Sequence, residues 1–271
     1  MIDINQLLPY YPEPVADNIA FHKHILKEYV ELLALEHLSQ SSFAPKLVFI
    51  GGTCLRLVYG IDRFSEDLDF DCKNLSPDEF IQMTDALIDS LRGNGFMTEA
   101  RDKENHRLTA YRRNIFFPSL LFELNLTGHR EERFLMKIEA QDQGVDYTPE
   151  TSVISRNGFL FTASVPSKGV LLSMKLAALL ARAKGRDFYD VLFLWQQVEP
   201  DYGFLAKRCG IGTPGELNNA LAAKLYATNL SDKQKDIQHL LFADNAKDKI
   251  MLFKNFYESR LIPATSKNCA P

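Results

Sequence analysis

The sequence predicts an α+β protein: a small mixed sheet flanked by helices over residues 1–165, followed by an all-helical region over residues 166–271. Two observations lead there. Between Lys46 and Ser164, short apolar or alternating runs bounded by Gly and Pro recur among helical stretches and read as strands. From Ser167 onward the strand signals vanish and helical periodicity takes over. Of 271 residues, 46% are hydrophobic and 24% charged, which is the balance of a globular chain rather than a disordered or fibrous one. The length suffices for one large domain or two smaller ones with cores of their own.

Taken in order, residues 1–15 carry Pro9, Pro12 and Pro14 and read as an irregular arm. From Val15 to Ser39 the residues Ile19, His22, Ile25, Tyr29, Leu32 and Leu33 recur at the spacing of one helix face. The run Lys46-Leu47-Val48-Phe49-Ile50, bounded by Pro45 and Gly51-Gly52, reads as a buried strand. A short helix from Thr53 to Tyr59 ends at Gly60. The strict alternation Asp67-Leu68-Asp69-Phe70-Asp71 reads as a second strand. Ser76-Pro77-Asp78-Glu79 opens a helix, with Ser76 as N-cap, that runs to Leu91 and ends at Gly93-Asn94-Gly95. Strands are expected near 96–100, 104–113, 117–126, 134–139 and 159–164. Helices are expected near 167–184, 187–198, 214–228, 231–242 and 245–260, and the tail 263–271 is expected to fray.

The composition also excludes several function classes. There is no run of about 20 apolar residues, so no membrane span is expected. The start Met1-Ile2-Asp3-Ile4-Asn5 lacks the basic and apolar regions of a signal peptide. The four cysteines (Cys54, Cys72, Cys209, Cys269) make no CxxC pair, which argues against a zinc site or a disulfide framework and for a reducing cytoplasm. With 31 Lys+Arg against 35 Asp+Glu the net charge is −4, so the chain is not a general nucleic-acid binder, although a local basic face would still hold phosphate.

Three constellations carry chemistry. In the first, Gly51-Gly52-Thr53 lies between a strand and a helix, where glycines let the backbone approach an anion closely. Alone this is a weak signal, since tight strand-to-helix turns are common. Asp67 and Asp69 strengthen it. Positions two apart in a strand share a face, so the two carboxylates stand side by side and repel unless a cation lies between them. Paired carboxylate oxygens are ligands that Mg²⁺ prefers. A solvated strand face remains the plain alternative.

The stretches Phe49-Ile50-Gly51-Gly52-Thr53-Cys54-Leu55-Arg56 and Arg63-Phe64-Ser65-Glu66-Asp67-Leu68-Asp69-Phe70 resemble the first motif of the AbiEii/AbiGii nucleotidyltransferase family, toxins of bacterial abortive-infection, type IV toxin–antitoxin systems. The family pattern often has Lys before Gly-Gly-Thr; Ile50 stands there in this chain. The second constellation is a third acid. Metal-assisted nucleotidyl transfer needs a base or a further metal ligand near the attacking hydroxyl. Glu139, on the alternating run Phe134 to Glu139, ranks first; its Lys-Ile-Glu context resembles the family's second motif. The plain alternative pairs Glu139 with Lys137 at the surface, and Glu123 is the competing third acid.

The third constellation runs from Lys175 to Asp190. Lys175, among apolar neighbours near a helix start, needs an anionic partner, and a triphosphate would serve. The guanidinium forks of Arg182 and Arg186 suit phosphate oxygens. Gly185 is expected to break the helix and Asp187 to be the next N-cap. A charged helix surface is the plain reading of the same stretch. The segment resembles the family's later motifs, which implies that Lys175 contacts the nucleotide phosphates and that Asp190 belongs to the active site.

The resemblance implies a polymerase-β-like nucleotidyltransferase domain (1–165), with a helical domain (166–271) closing the nucleotide cleft. It implies metal-dependent transfer of a nucleotide from a nucleoside triphosphate to an acceptor hydroxyl, with tRNA as an acceptor in related members and a cognate antitoxin encoded nearby. Asp67, Asp69 and Glu139 would hold two Mg²⁺ ions, or Mn²⁺; Lys175 and Asp190 complete the catalytic set. Gly51, Gly52, Thr53, Arg63, Ser65, Lys175, Arg182 and Arg186 would bind the nucleotide. The alternative from another class is a nucleotide-binding sensor or partner module without turnover.

Overall fold

The structure is a computed structural model that describes residues 2–100 and 110–261. The chain divides into two compact units, Met1–Gln143 with Pro149–Val165, and Gly144–Thr148 with Pro166–Pro271. Among the described residues no helix is long and apolar enough to cross a membrane.

The first unit begins with helical turns rather than the irregular arm expected. Short helices α1 (Ile4–Leu7) and α2 (Glu13–Ala16) form because Asp3 caps the first and the prolines sit at the starts of turns, where their missing N–H costs nothing. Leu7, Tyr11 and Val15 are buried and pin this segment down. The long helix α3 (His22–Gln40) starts later than the periodicity suggests, because the Asn18 side chain accepts from Ala20 N and opens a separate 3₁₀ turn. Ile19 therefore falls outside α3 and is exposed.

Next come β1 (Leu47–Ile50), α4 (Gly51–Leu57), β2 (Asp67–Cys72) and α5 (Pro77–Gly93), the last opened by a Ser76/Glu79 capping box. Strands β3 (Glu99–Ala100) and β4 (Tyr111–Phe116) follow; positions 104–109 of an expected strand lie outside the described residues. The expected strand over 117–126 is absent: α6 (Leu120–Glu123) occupies it. Pro118 starts the departure, and Ser119 and Asn125 adopt positive φ, which ends any extended run. After it come β5 (Leu135–Gln141), β6 (Glu150–Arg156) and β7 (Phe159–Val165).

The sheet has the order β1-β2-β5-β4-β3. Its central pair, β2 and β5, is parallel; the other pairings are antiparallel. On β2, Leu68 and Phe70 face the core, while Asp67 and Asp69 stand half-buried on the opposite face. The hairpin β6-β7 turns at Asn157-Gly158, both at positive φ, the chemistry a two-residue hairpin loop requires. That pair was the signal by which β6, missed in the sequence, was detectable.

The second unit is helical apart from Gly144–Thr148, whose Val145 and Tyr147 pack with Val170, Met174 and Phe204. It contains α7 (Lys168–Arg182), α8 (Gly185–Trp195), α9 (Tyr202–Cys209), α10 (Pro214–Tyr226), α11 (Leu230–Ile237) and α12 (Phe253–Leu261). Helix α9 was not anticipated, although Asp201 caps it through Phe204 N at 2.8 Å. The expected helix over 245–260 is split, with a 3₁₀ segment Asp244–Leu252 ahead of α12. The tail 263–271 lies outside the described residues.

Candidate functional site

The turn after β1 is built so that side chains can approach the backbone. Gly51 has φ +84°, in the region that favours glycine, and a Cβ there would lie 2.8 Å from Asp69 Cβ and 3.0 Å from its Cγ. A Cβ on Gly52 would lie 2.6 Å from Ser65 Oγ and 2.7 Å from Arg63 Nη2. The two glycines thus give space to Asp69 and to the Arg63–Ser65 loop. Arg63 is buried, and its Nη1 donates to Phe64 O at 2.7 Å. Thr53 is fully buried and its hydroxyl donates to Asp67 O at 2.6 Å. The threonine expected in a phosphate cradle therefore ties α4 to the first residue of the acidic strand.

The third acid comes from β5. In the parallel β2–β5 register, Asp69 lies opposite Glu139 and Asp67 opposite Lys137. Glu123, the competing acid, sits exposed on α6, not on a neighbouring strand. Asp71, also on the acidic face, is buried and accepts from Gln143 N at 2.9 Å.

Cations of the chain itself enter this carboxylate group. Lys137 Nζ is 2.8 Å from Asp67 Oδ2 and 3.4 Å from Glu139 Oε1, and Arg112, from β4, reaches the same Glu139 oxygen at 2.7 Å. Burial works against the Lys137 ammonium, but Asp67 and then Glu139 outweigh it and raise its pKa above the usual lysine range. Glu139 Oε1 is buried and, despite its charged neighbours, receives no well-directed hydrogen bond.

Glu31 of α3 is buried and its Oε1 has no hydrogen-bond partner. Burial raises its pKa well above the carboxylate range; Lys27 opposes the rise, and Glu28, Asp67 and Glu66 add to it. Arg112 and Glu31 were missed in the sequence. Arg112 belongs to the site only through strand register, and a lone Glu on a helix carries no local signal.

The donor set fits a hard divalent cation by chemistry: three carboxylates at adjacent register positions, one with an oxygen lacking a hydrogen bond. As the side chains stand, however, no group of three His, Cys, Asp or Glu is gathered to hold a metal among the described residues. Lys137 lies between Asp67 and Glu139, in contact with both.

In the second unit, the anionic partner of Lys175 is Asp190, with Nζ to Oδ2 at 2.8 Å and both groups buried. Arg182 also has a protein partner. Its Nε and Nη2 donate to Asp187 Oδ2 and Oδ1 at 3.0 and 2.8 Å, a bidentate fork. Asp187 is not the N-cap expected: α7 ends at Arg182 with Ala183 left-handed, Lys184 is the N-cap of α8, and Asp187 reaches back to accept from Lys184 N at 3.0 Å. Gly185 begins α8 instead of breaking a helix. A Cβ there would lie 3.1 Å from the carbonyl carbon of Lys233 and closer still to its oxygen, so α11 packs directly on this backbone. Arg186, in the first turn of α8, is half-buried.

Three comparisons bear on this chain. The solved structure of MenT4, a nucleotidyltransferase toxin from Mycobacterium tuberculosis, aligns over 98% of this chain and 92% of its own with TM-score 0.62 at 17% identity. JHP933 from Helicobacter pylori aligns over 88% of this chain and 93% of its own with TM-score 0.50 at 19% identity. At these identities the likeness establishes the fold, a small mixed sheet with flanking helices and a helical C-terminal region. Comparison with curated protein sequences gives no significant match. The family model for the nucleotidyl transferase AbiEii toxin of type IV toxin–antitoxin systems matches residues 33–256, most of the chain. With the glycine turn and the acidic strands in place, the chain belongs to the AbiEii family of nucleotidyl transferase toxins.

Proposed function

We propose that the chain transfers the nucleotidyl group of a nucleoside triphosphate to an acceptor hydroxyl, with Asp67, Asp69 and Glu139 as ligands of one or two divalent ions, Mg²⁺ or Mn²⁺. One observation carries the reading: Asp69 and Glu139 are direct neighbours on parallel strands, and Asp69 packs on a glycine turn that no side chain can share. When bound, the metal supplies charge neutralisation for the triphosphate and lowers the pKa of the attacking hydroxyl. The chain's own residues do the rest. Gly51 keeps Asp69 at the turn, and Thr53 fixes the start of β2 by its bond to Asp67 O. The Gly51-Gly52 backbone and half-buried Ser65 receive phosphate oxygens, and Arg63 holds the Ser65 loop against Gly52.

Lys175 offsets charge on the departing pyrophosphate, and Asp190, its partner at 2.8 Å, orients it. Arg186 adds a phosphate contact, and Arg182 supports that turn through Asp187. The acceptor is an RNA hydroxyl, tRNA being the first to test, and the protein acts in the cytoplasm opposite a cognate antitoxin.

The test is incubation with NTPs labelled at the α-phosphorus, Mg²⁺ and total RNA. The wild type moves α-label onto RNA, and Asp69→Ala does not. Equal transfer by the two ends the assignment, and movement of γ-label instead would make the reaction phosphoryl transfer.

A further inference from the structure

The carboxylate site already contains a cation of the chain's own. Lys137 and Glu139 share one face of β5, and Lys137 stands opposite Asp67 in the parallel register. Its ammonium contacts Asp67 at 2.8 Å and Glu139 at 3.4 Å, while Arg112 closes on Glu139 from the other side at 2.7 Å. Two carboxylates, Asp67 and Glu139, therefore meet two cations, and that group is balanced in charge as it stands. A divalent ion that ligates Asp67 and Glu139 would compete with Lys137 for Asp67 Oδ2, which the ammonium contacts directly, and for the negative charge of Glu139 beside it. The Lys137 side chain is 28% exposed on a four-carbon stem, so it can withdraw toward solvent without opening the sheet.

Resting on the transferase reading above, we propose that Lys137 is the resident counter-ion of the site and competes with divalent metal for Asp67 and Glu139. Metal alone then binds weakly. A triphosphate offers the displaced ammonium a new anionic partner, so metal and nucleotide bind with positive linkage. The same arrangement relieves repulsion between Asp67 and Glu139 when no nucleotide is present.

The experiment is Mn²⁺ binding to the full chain followed by electron paramagnetic resonance, with and without a non-hydrolysable NTP analogue. Without nucleotide, Lys137→Met and Lys137→Gln bind Mn²⁺ about ten-fold more tightly than wild type, the effect of losing a competing partly buried ion pair. Lys137→Arg, which keeps the charge, binds as weakly as wild type. The analogue tightens Mn²⁺ binding strongly in wild type and little in Lys137→Met. Thermal melting establishes that each variant is folded, and two neutral variants guard against one failing. If wild type and both neutral variants share one affinity while Asp69→Asn weakens it, the competition is overturned and the metal site stands. If Asp69→Asn changes nothing, the carboxylate reading falls and takes the competition with it.

Discussion

A single methyl group at Gly51 tests how the turn and the acidic strand are joined. Alanine there meets two costs. At φ +84° an L-residue is strained by about 1–2 kcal/mol. The added carbon would also lie 2.8 Å from Asp69 Cβ and 3.0 Å from Cγ, well inside an ordinary carbon–carbon contact of about 3.5–4.0 Å. Either the Asp69 carboxylate rotates away or β1 and β2 part at the Ile50–Asp69 pair, and overpacking of this kind costs about 1–3 kcal/mol. Gly95 supplies the control, because it has φ +87° with nothing within 4 Å of an added Cβ. In urea denaturation Gly95→Ala should lose about 1–2 kcal/mol and Gly51→Ala about 2–5 kcal/mol, the difference isolating the collision with Asp69. In the α-label assay Gly95→Ala should run at the wild-type rate and Gly51→Ala should lose nearly all transfer. A Gly51→Ala protein as stable as Gly95→Ala and fully active would refute the claim that close approach at this turn aims Asp69.

Other perturbations separate framework from chemistry. Glu31 is pushed up chiefly by burial, so its folded pKa exceeds its unfolded one; its contribution to stability is full below about pH 4.3 and lost as pH rises toward the folded value. Glu31→Gln should match wild type near pH 4 and gain on it by about 1.4 kcal/mol per pH unit above that until the folded pKa is passed, and parallel stability–pH curves would contradict this. Arg182→Ala leaves the fully buried Asp187 carboxylate without its fork and should cost about 3 kcal/mol, more than the about 1–2 kcal/mol for Asp187→Ala, whose loss leaves a half-exposed guanidinium that water can solvate; chemical denaturation gives the order. Gly185→Ala should cost about 1–3 kcal/mol by forcing α8 off the Lys233 carbonyl, read as a lowered melting temperature.

Much of the acidic site was legible because its cause is local. The side-chain alternation of an extended backbone puts Asp67 and Asp69 on one face wherever that strand goes, and Ser76-Pro77-Asp78-Glu79 opens a helix by its own caps. Local pattern misled where long-range packing overrode it. Phe117, Leu120 and Leu121 look like strand residues, but Phe117 is buried between Phe96 and Phe134 while the chain turns at Ser119 into α6. Strand β6 carries little apolar signal of its own because Ile154 is its one buried position, the rest being held by pairing with β7. The apolar neighbours of Lys175 require an anionic partner; that the anion is Asp190, on the next helix, depends on the left-handed turn at Ala183.

Sequence alone determined which residue types stand together along each short segment: the glycine turn, the alternating aspartates, the helix caps and the cations of the Lys175–Asp190 stretch. The glycine turn, the aspartate alternation and the Ser76 cap follow from backbone geometry over a few residues; the Asp187 cap does not form, because the turn at Ala183 moves the start of α8 to Gly185. The tertiary structure decided which segments meet. Parallel pairing of β2 with β5 sets Glu139 against Asp69 and Lys137 against Asp67, and its neighbour β4 brings Arg112 to Glu139. Strand register comes from burying the two inner faces together, and that free energy belongs to the assembled sheet rather than to any one of its strands.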